Sequence, residues 1–152
     1  MLSTKEIIAK YGEPGDKHLV TLELPYPMRI AWDTKVTVKT VRCHDLIAPN
    51  LMFVLVDLLE HYGYEKIKEL GIDLFGGIYN YRKMRGGNDW SRHSWGIAID
   101  LDPARNGLKV GKPKAQFSRD EYKPMIDIFY KYGFVSYGRE KNYDWMHFEI
   151  AE

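Results

Sequence analysis

The stretch from Ser91 to Asp102, Ser-Arg-His-Ser-Trp-Gly-Ile-Ala-Ile-Asp-Leu-Asp, constrains this chain more than any other. Its second half alternates in the manner of a strand. Ile97, Ile99 and Leu101 point to one side, and Ala98, Asp100 and Asp102 to the other. The apolar side demands a core. The opposite side sets carboxylates behind two small residues, Gly96 and Ala98, which leave open space in front of the strand. His93 stands seven positions before Asp100. A second alternating stretch, Asp144-Trp145-Met146-His147-Phe148-Glu149-Ile150, lies near the C-terminus. It puts Met146, Phe148 and Ile150 on one face and His147 and Glu149 on the other.

A lone histidine or aspartate is most often a structural residue. The two stretches together supply a chemical set. A catalytic zinc takes three protein ligands from histidine and carboxylate and keeps a fourth place open. His93, Asp100 and His147 provide those three, with one Zn²⁺ as the expected cofactor. Asp144, three residues before His147, is close enough to serve as general base toward an attacking water. Asp102 reads as a strand-end turn residue rather than a carboxylate that orients a ligand. Glu149 shares the inward face with His147, and orienting a ligand, meeting substrate or lying idle at an edge weigh about equally for it.

Ser91-x-His93-x-x-Gly96-x-Ala98-x-Asp100, followed by Asp144-x-x-His147-Phe148-Glu149, resembles peptidase family M15. That group comprises the D-alanyl-D-alanine carboxypeptidases and L-alanyl-D-glutamate endopeptidases, among them bacterial cell-wall enzymes and phage endolysins. The resemblance covers Asp73 to Ile150; the first seventy residues match only in general character. It implies a small single α+β domain of the hedgehog/DD-peptidase-like kind, with an antiparallel sheet and helices packed on one face. It also implies that the substrate is the stem peptide of peptidoglycan. In the family a Tyr-Arg pair at the end of a strand precedes the histidine motif, and Tyr81-Arg82 matches it. Arg82 is then the expected partner of the oxyanion, since a guanidinium offers a fixed fork of donors and stays charged. Arg85 and Ser91 are expected to meet substrate. Most zinc hydrolases of this kind use glutamate as base, whereas this chain has Asp144, as endolysin-like members do. Two cleavages are possible within the resemblance, by an L-alanyl-D-glutamate endopeptidase or a D-alanyl-D-alanine carboxypeptidase, and a short single domain without a signal pattern favours the first. A third reading, a zinc-containing binding module like the hedgehog domain, leaves Asp144 without a purpose.

Composition narrows the alternatives. Twenty-two basic residues against twenty-one acidic ones give a net charge of +1, and no long basic run occurs. A nucleic-acid binder that works by neutralising phosphates needs a basic face, so nucleic acid is not an expected partner. The single cysteine, Cys43, sits in an apolar β-like run and reads as a small buried residue. No window reaches the ~18 apolar residues of a membrane span. Met1-Leu2-Ser3-Thr4-Lys5-Glu6 lacks a charged-then-apolar signal pattern, which predicts synthesis in the cytoplasm and action on the wall after release by another route.

The remaining elements follow from local signals. Ser3-Thr4-Lys5-Glu6 has the form of a capping box, predicting a helix to about Tyr11 that stops at Gly12. Short strands are expected over His18–Leu24 and Met28–Trp32, and another over Val36–His44. The main core helix is expected from Ile47 or Ala48 to Tyr62, with Pro49 in its first turn, and a further turn at Glu65–Leu70. A strand over Leu74–Tyr81 leads to Arg82. The polar loop after Asp102, Pro103 to Leu108 and on to Phe117, is expected as one wall of the cleft. Ser118-Arg119-Asp120-Glu121 reads as a second capping box, with a helix from there or from Pro124 to Tyr132. Phe134–Tyr137 reads as a strand and Gly138–Asn142 as a charged hairpin loop. Nothing marks a linker or repeat, so residues 1–152 read as one peptidase domain with its core motifs in 73–150.

Overall fold

Ser3 begins helix α1 (Thr4–Tyr11) as its sequence predicts. The Ser3 hydroxyl accepts a hydrogen bond from the Glu6 amide at 3.1 Å, and the Glu6 carboxylate accepts one from the Ser3 amide at 3.0 Å. Two long strands follow, β1 (Leu19–Ile30) and β2 (Asp33–His44), paired as a hairpin. Helices α2 (Ala48–Tyr62) and α3 (Tyr64–Leu70) come next. Leu51, Val54, Leu55 and Leu58 form the buried stripe of α2 at helical spacing. The rest of the chain supplies β3 (Leu74–Gly77), β4 (Ala98–Leu101), α4 (Lys123–Lys131), β5 (Phe134–Ser136), α5 (Tyr137–Lys141) and β6 (His147–Ile150). A 3-10 turn over Arg92–Trp95 precedes β4. This computed structural model describes residues 1–152.

The six strands form one sheet in the order β2-β1-β3-β4-β6-β5. β1 and β3 run parallel, and all other neighbours are antiparallel, so the expected α+β domain is built on a mixed sheet. Thirty buried apolar side chains make one continuous cluster, which gives the chain a single core. The Phe129 ring of α4 stacks on Phe148 of β6 at 4.1 Å and ties that strand to the core.

Several local expectations change. The two short strands His18–Leu24 and Met28–Trp32 are one strand, β1. Pro25 and Pro27 fall where its register with β2 slips, between Glu23 and Met28, so their missing amide hydrogens cost no ladder bond there. β2 starts at Asp33 rather than Val36. The strand expected over Leu74–Tyr81 ends at Gly77, because the chain beyond it bonds to the 3-10 turn instead. Asn80 donates to the His93 carbonyl, and Arg82 donates to Ser94 Oγ. The second capping box does not form. Ser118 Oγ donates back to the Ala115 carbonyl at 2.7 Å and ends one short 3-10 turn, a second covers Asp120–Tyr122, and α4 starts at Lys123 with Pro124 in its first turn. The segment expected as a hairpin loop is the helix α5, capped by Ser136 Oγ, which accepts from the Arg139 amide. The strand expected over Phe134–Tyr137 ends at Ser136, where that helix begins.

Gly96 is the joint between the 3-10 turn and β4. Its φ is +72°, and a β-carbon there would meet Leu19 Cδ2 at 2.5 Å and the His44 backbone nitrogen at 3.0 Å. Gly96→Ala combines left-handed strain with overpacking. The expected loss is about 2–4 kcal/mol, read as a lowered midpoint in urea unfolding.

Candidate metal centre

The site follows from a strand register. β4 pairs with β6 so that Asp100 faces His147, Ile99 faces Phe148 and Ala98 faces Glu149. Alternation then sends Ile99 and Phe148 into the core and leaves Asp100 and His147 side by side on the other face. The 3-10 turn brings His93 to the same place. One ligand atom from each of His93, Asp100 and His147 lies within 4.8 Å of the other two, a group that can hold a metal ion. The two imidazoles are nearly perpendicular, at 80°, with centroids 5.0 Å apart.

Protons can be placed by elimination. His93 Nδ1 lies 2.7 Å from the Ile78 carbonyl, which can only accept, so Nδ1 carries the hydrogen. His93 Nε2 therefore turns a lone pair inward. It is 3.2 Å from Asp100 Oδ2 yet buried with no hydrogen-bond partner. His147 Nε2 donates to Glu149 Oε1 at 2.8 Å, and its Nδ1 faces Asp100 Oδ1 at 3.2 Å. Three acceptors thus converge on one point. Such a cluster repels itself unless protons or a cation sit between the atoms. Outer partners that fix each imidazole with its lone pair inward are the usual support of a metal ligand. A divalent ion fits this donor set.

The electrostatics agree. Burial pushes the Asp100 carboxyl up, but the imidazoles of His147 and His93 outweigh it and hold the group below the ordinary carboxylate range. Burial disfavours a charged His147, yet hydrogen bonds to Asp100 and Glu149 prevail and raise it to about 10. With no ion, the cluster draws in protons. A cation would take over that balancing role.

Asp144 sits beside this group in the same cavity, of about 410 Å³. Its backbone is left-handed, with φ 53°, and its amide is held by the Leu108 carbonyl at 2.9 Å. Its Oδ1 is buried without a partner. Burial raises its carboxyl above the usual value despite the nearby His147. Arg82, Arg85 and Ser91 also line the cavity. The Arg82 backbone is clamped by Ser94, which accepts from its amide at 3.0 Å and donates to its carbonyl at 2.8 Å. Arg85 is exposed at the rim. Ser91 is buried, and its hydroxyl accepts from the His93 amide at 3.3 Å, so it also sets the turn that carries His93.

Met146 does not join Phe148 and Ile150 in the core. It precedes β6 and lines the cavity, so strand alternation does not reach it. The loop after Asp102 contributes Pro103 and Leu108 to the cavity, and the 109–117 stretch contributes nothing to it. Asp102 pairs with Arg105 at 2.7 Å and has φ 45°, the turn role expected of it. Burial pushes the Cys43 thiol up to about 12, which removes it as a nucleophile. Two participants went unread in the sequence. The Arg92 side chain is largely buried, with Nε 4.0 Å from Glu149 Oε2, and it donates to the Leu2 carbonyl and Thr4 Oγ1. Tyr137 lays its ring 4.3 Å from His147. Arg92 lies inside the histidine motif and was findable; nothing near Tyr137 marks it.

Imidazole and carboxylate donors with a spare carboxylate at hand make this the centre of a metallopeptidase. A family model described as D-alanyl-D-alanine carboxypeptidase matches residues 85–150, the segment that carries all four groups. Over that segment the chain is similar to the D-alanyl-D-alanine carboxypeptidases that the model describes. No curated protein matches it.

Glu149 is the outer partner of His147, so its loss should loosen the metal. Glu149→Ala is expected to weaken metal affinity by about 10–100-fold, and Glu149→Gln by less, since its amide oxygen still accepts from Nε2. Competition with a metal indicator measures both.

Proposed function

We propose that this protein is a zinc-dependent peptidase of the peptidoglycan stem peptide, acting as an L-alanyl-D-glutamate endopeptidase, with residues 1–152 as one peptidase domain. The observation that carries the reading is the convergence of His93, Asp100 and His147 beside the free carboxylate of Asp144. The family match over residues 85–150 supports it. Nitrogen and carboxylate donors in this number suit zinc.

His93, Asp100 and His147 would hold the ion. One divalent ion there supplies Lewis-acid activation of a water molecule and of the scissile carbonyl. Asp144 takes the proton of the attacking water and delivers it to the leaving amine. Its burial and raised proton affinity favour that exchange. Arg82, from the cavity wall, meets the oxyanion as charge develops on the carbonyl oxygen. Arg85 at the rim and Ser91 inside receive the substrate's polar groups.

Both candidate bonds in the stem peptide place a D-residue with an α-carboxylate on the leaving side. The arginines serve either substrate. What differs is the chain beyond that carboxylate, which an endopeptidase must let pass. Exposed Met84, Arg85 and Tyr143 at the edge of the cavity leave such a passage. The second reading, a D-alanyl-D-alanine carboxypeptidase, draws on the description of the matching family model. In either case the enzyme works on the wall after release from the cytoplasm in which it is made.

Digestion of purified peptidoglycan, with products read by mass, tests the reading. The endopeptidase yields peptides beginning at D-Glu and leaves L-Ala on the glycan. Free D-Ala instead establishes the carboxypeptidase. Asp144→Ala is expected to lower kcat by a factor of about 10²–10⁴ while metal binding persists. A chelator should abolish hydrolysis, and added Zn²⁺ restore it. Zinc bound with no cleavage of either bond sinks the catalytic reading.

A further inference from the structure

A second cavity, of about 390 Å³, takes its lining partly from the same short segment as the first. The segment 142–146 is the partition. Asn142 and Trp145 line the second cavity, while Tyr143, Asp144 and Met146 line the catalytic one. Lys112, Arg119, Lys123 and Arg139 surround the second cavity, and no carboxylate lines it. In a chain of net charge +1 this is a local concentration of positive charge. Lys112 and Arg119 form no ion pair. Lys123 meets only the exposed Asp120, at 3.4 Å. Arg139 pairs with the exposed Asp127 at 2.8 Å, outside the lining. Exposed pairs of that kind are weak and give way to a better anion. Asn142 is fixed through its oxygen, which accepts from the Lys112 amide at 2.8 Å and from Trp145 Nε1 at 3.0 Å. Its NH₂ remains a donor without a partner in the chain.

We propose that this cavity is an anion subsite for a phosphate-bearing polymer, distinct from the catalytic cavity. Two guanidiniums and two ammoniums with an amide donor match phosphate oxygens, which a guanidinium can engage through two parallel bonds. The volume exceeds that of a single inorganic ion and suits a polyol- or sugar-phosphate unit of a longer chain. A polymer held there keeps the catalytic face close to the surface that carries the polymer and raises its local concentration. That purpose rests on the wall reading above. The binding itself does not depend on hydrolysis.

Calorimetric titration of the full chain with short poly(glycerol phosphate) tests the proposal, with polygalacturonate as a carboxylate polymer of similar charge. Arg119→Ala/Lys123→Ala should bind poly(glycerol phosphate) at least tenfold more weakly. Lys35→Ala/Lys39→Ala, which removes the same charge from exposed positions on β2, should change it less than twofold. Amide and indole NMR shifts on binding should centre on Arg119, Lys123 and Trp145. Hydrolysis of a small soluble stem peptide should be unchanged in both variants. If hydrolysis is absent from the unaltered protein while this binding persists, the catalytic reading alone falls. Equal weakening in the two variants, equal affinity for polygalacturonate, shifts centred on the catalytic cavity, or no binding at all overturns the subsite.

Discussion

Three electron-rich atoms brought together by strand pairing govern this molecule. His93 Nε2, Asp100 and His147 Nδ1 present lone pairs to one another in a nearly dry setting. The fold spends its local order on holding them so. Ile78 and Glu149 take the outward hydrogens of the imidazoles, and Gly96 adopts a left-handed turn to bring His93 over β4. Phe148 and Ile99 anchor the other side of the same two strands in the core. The β4–β6 register is thus a structural and a chemical constraint at once. A slip of β6 by one residue would turn His147 toward Phe129 and the Phe148 ring outward, leaving Asp100 without its partner.

Support for the site reaches far in sequence. Glu149 holds His147, Arg92 stands against Glu149, and Arg92 in turn holds the Leu2 carbonyl and Thr4. Thr4 also bonds Asp89. This chain of contacts joins α1 to the last strand through the segment that matches the family model. It explains why α1 packs beside the site although its own sequence carries no chemistry. Buried charges of this kind are stable only when each has a partner, and here each partner also orients a neighbour.

The parts of the site legible in the sequence are those set by local pattern. Asp100, His147 and Glu149 follow from period-two alternation, and α1 and α2 from a cap, a proline and a helical stripe. The misread parts depend on contacts that residue letters alone do not fix. Ser118 had the letters of a capping box, but its hydroxyl found a nearer carbonyl behind it. Helix α5 was invisible because it is only five residues long, three of them charged and one a glycine; Ser136 caps it, and Gly138 lies flush against Trp145, where a β-carbon would overlap the indole. Arg92 was passed over for Arg82 and Arg85 because its value lies in Glu149, across the sheet. Met146 shows the limit of alternation, which holds only for residues already inside a strand.

The order of strands carries a consequence for the site. β6 follows every other strand in the sequence, yet it lies inside the sheet, between β4 and β5. Until residues 147–150 slide into that slot, Asp100 and His93 have no third companion and Glu149 has nothing to hold. The edge strand β5 also depends on residues 147–150, since β6 is its strand partner. Completing the sheet and completing the three-ligand group are therefore the same pairing of β4 with β6.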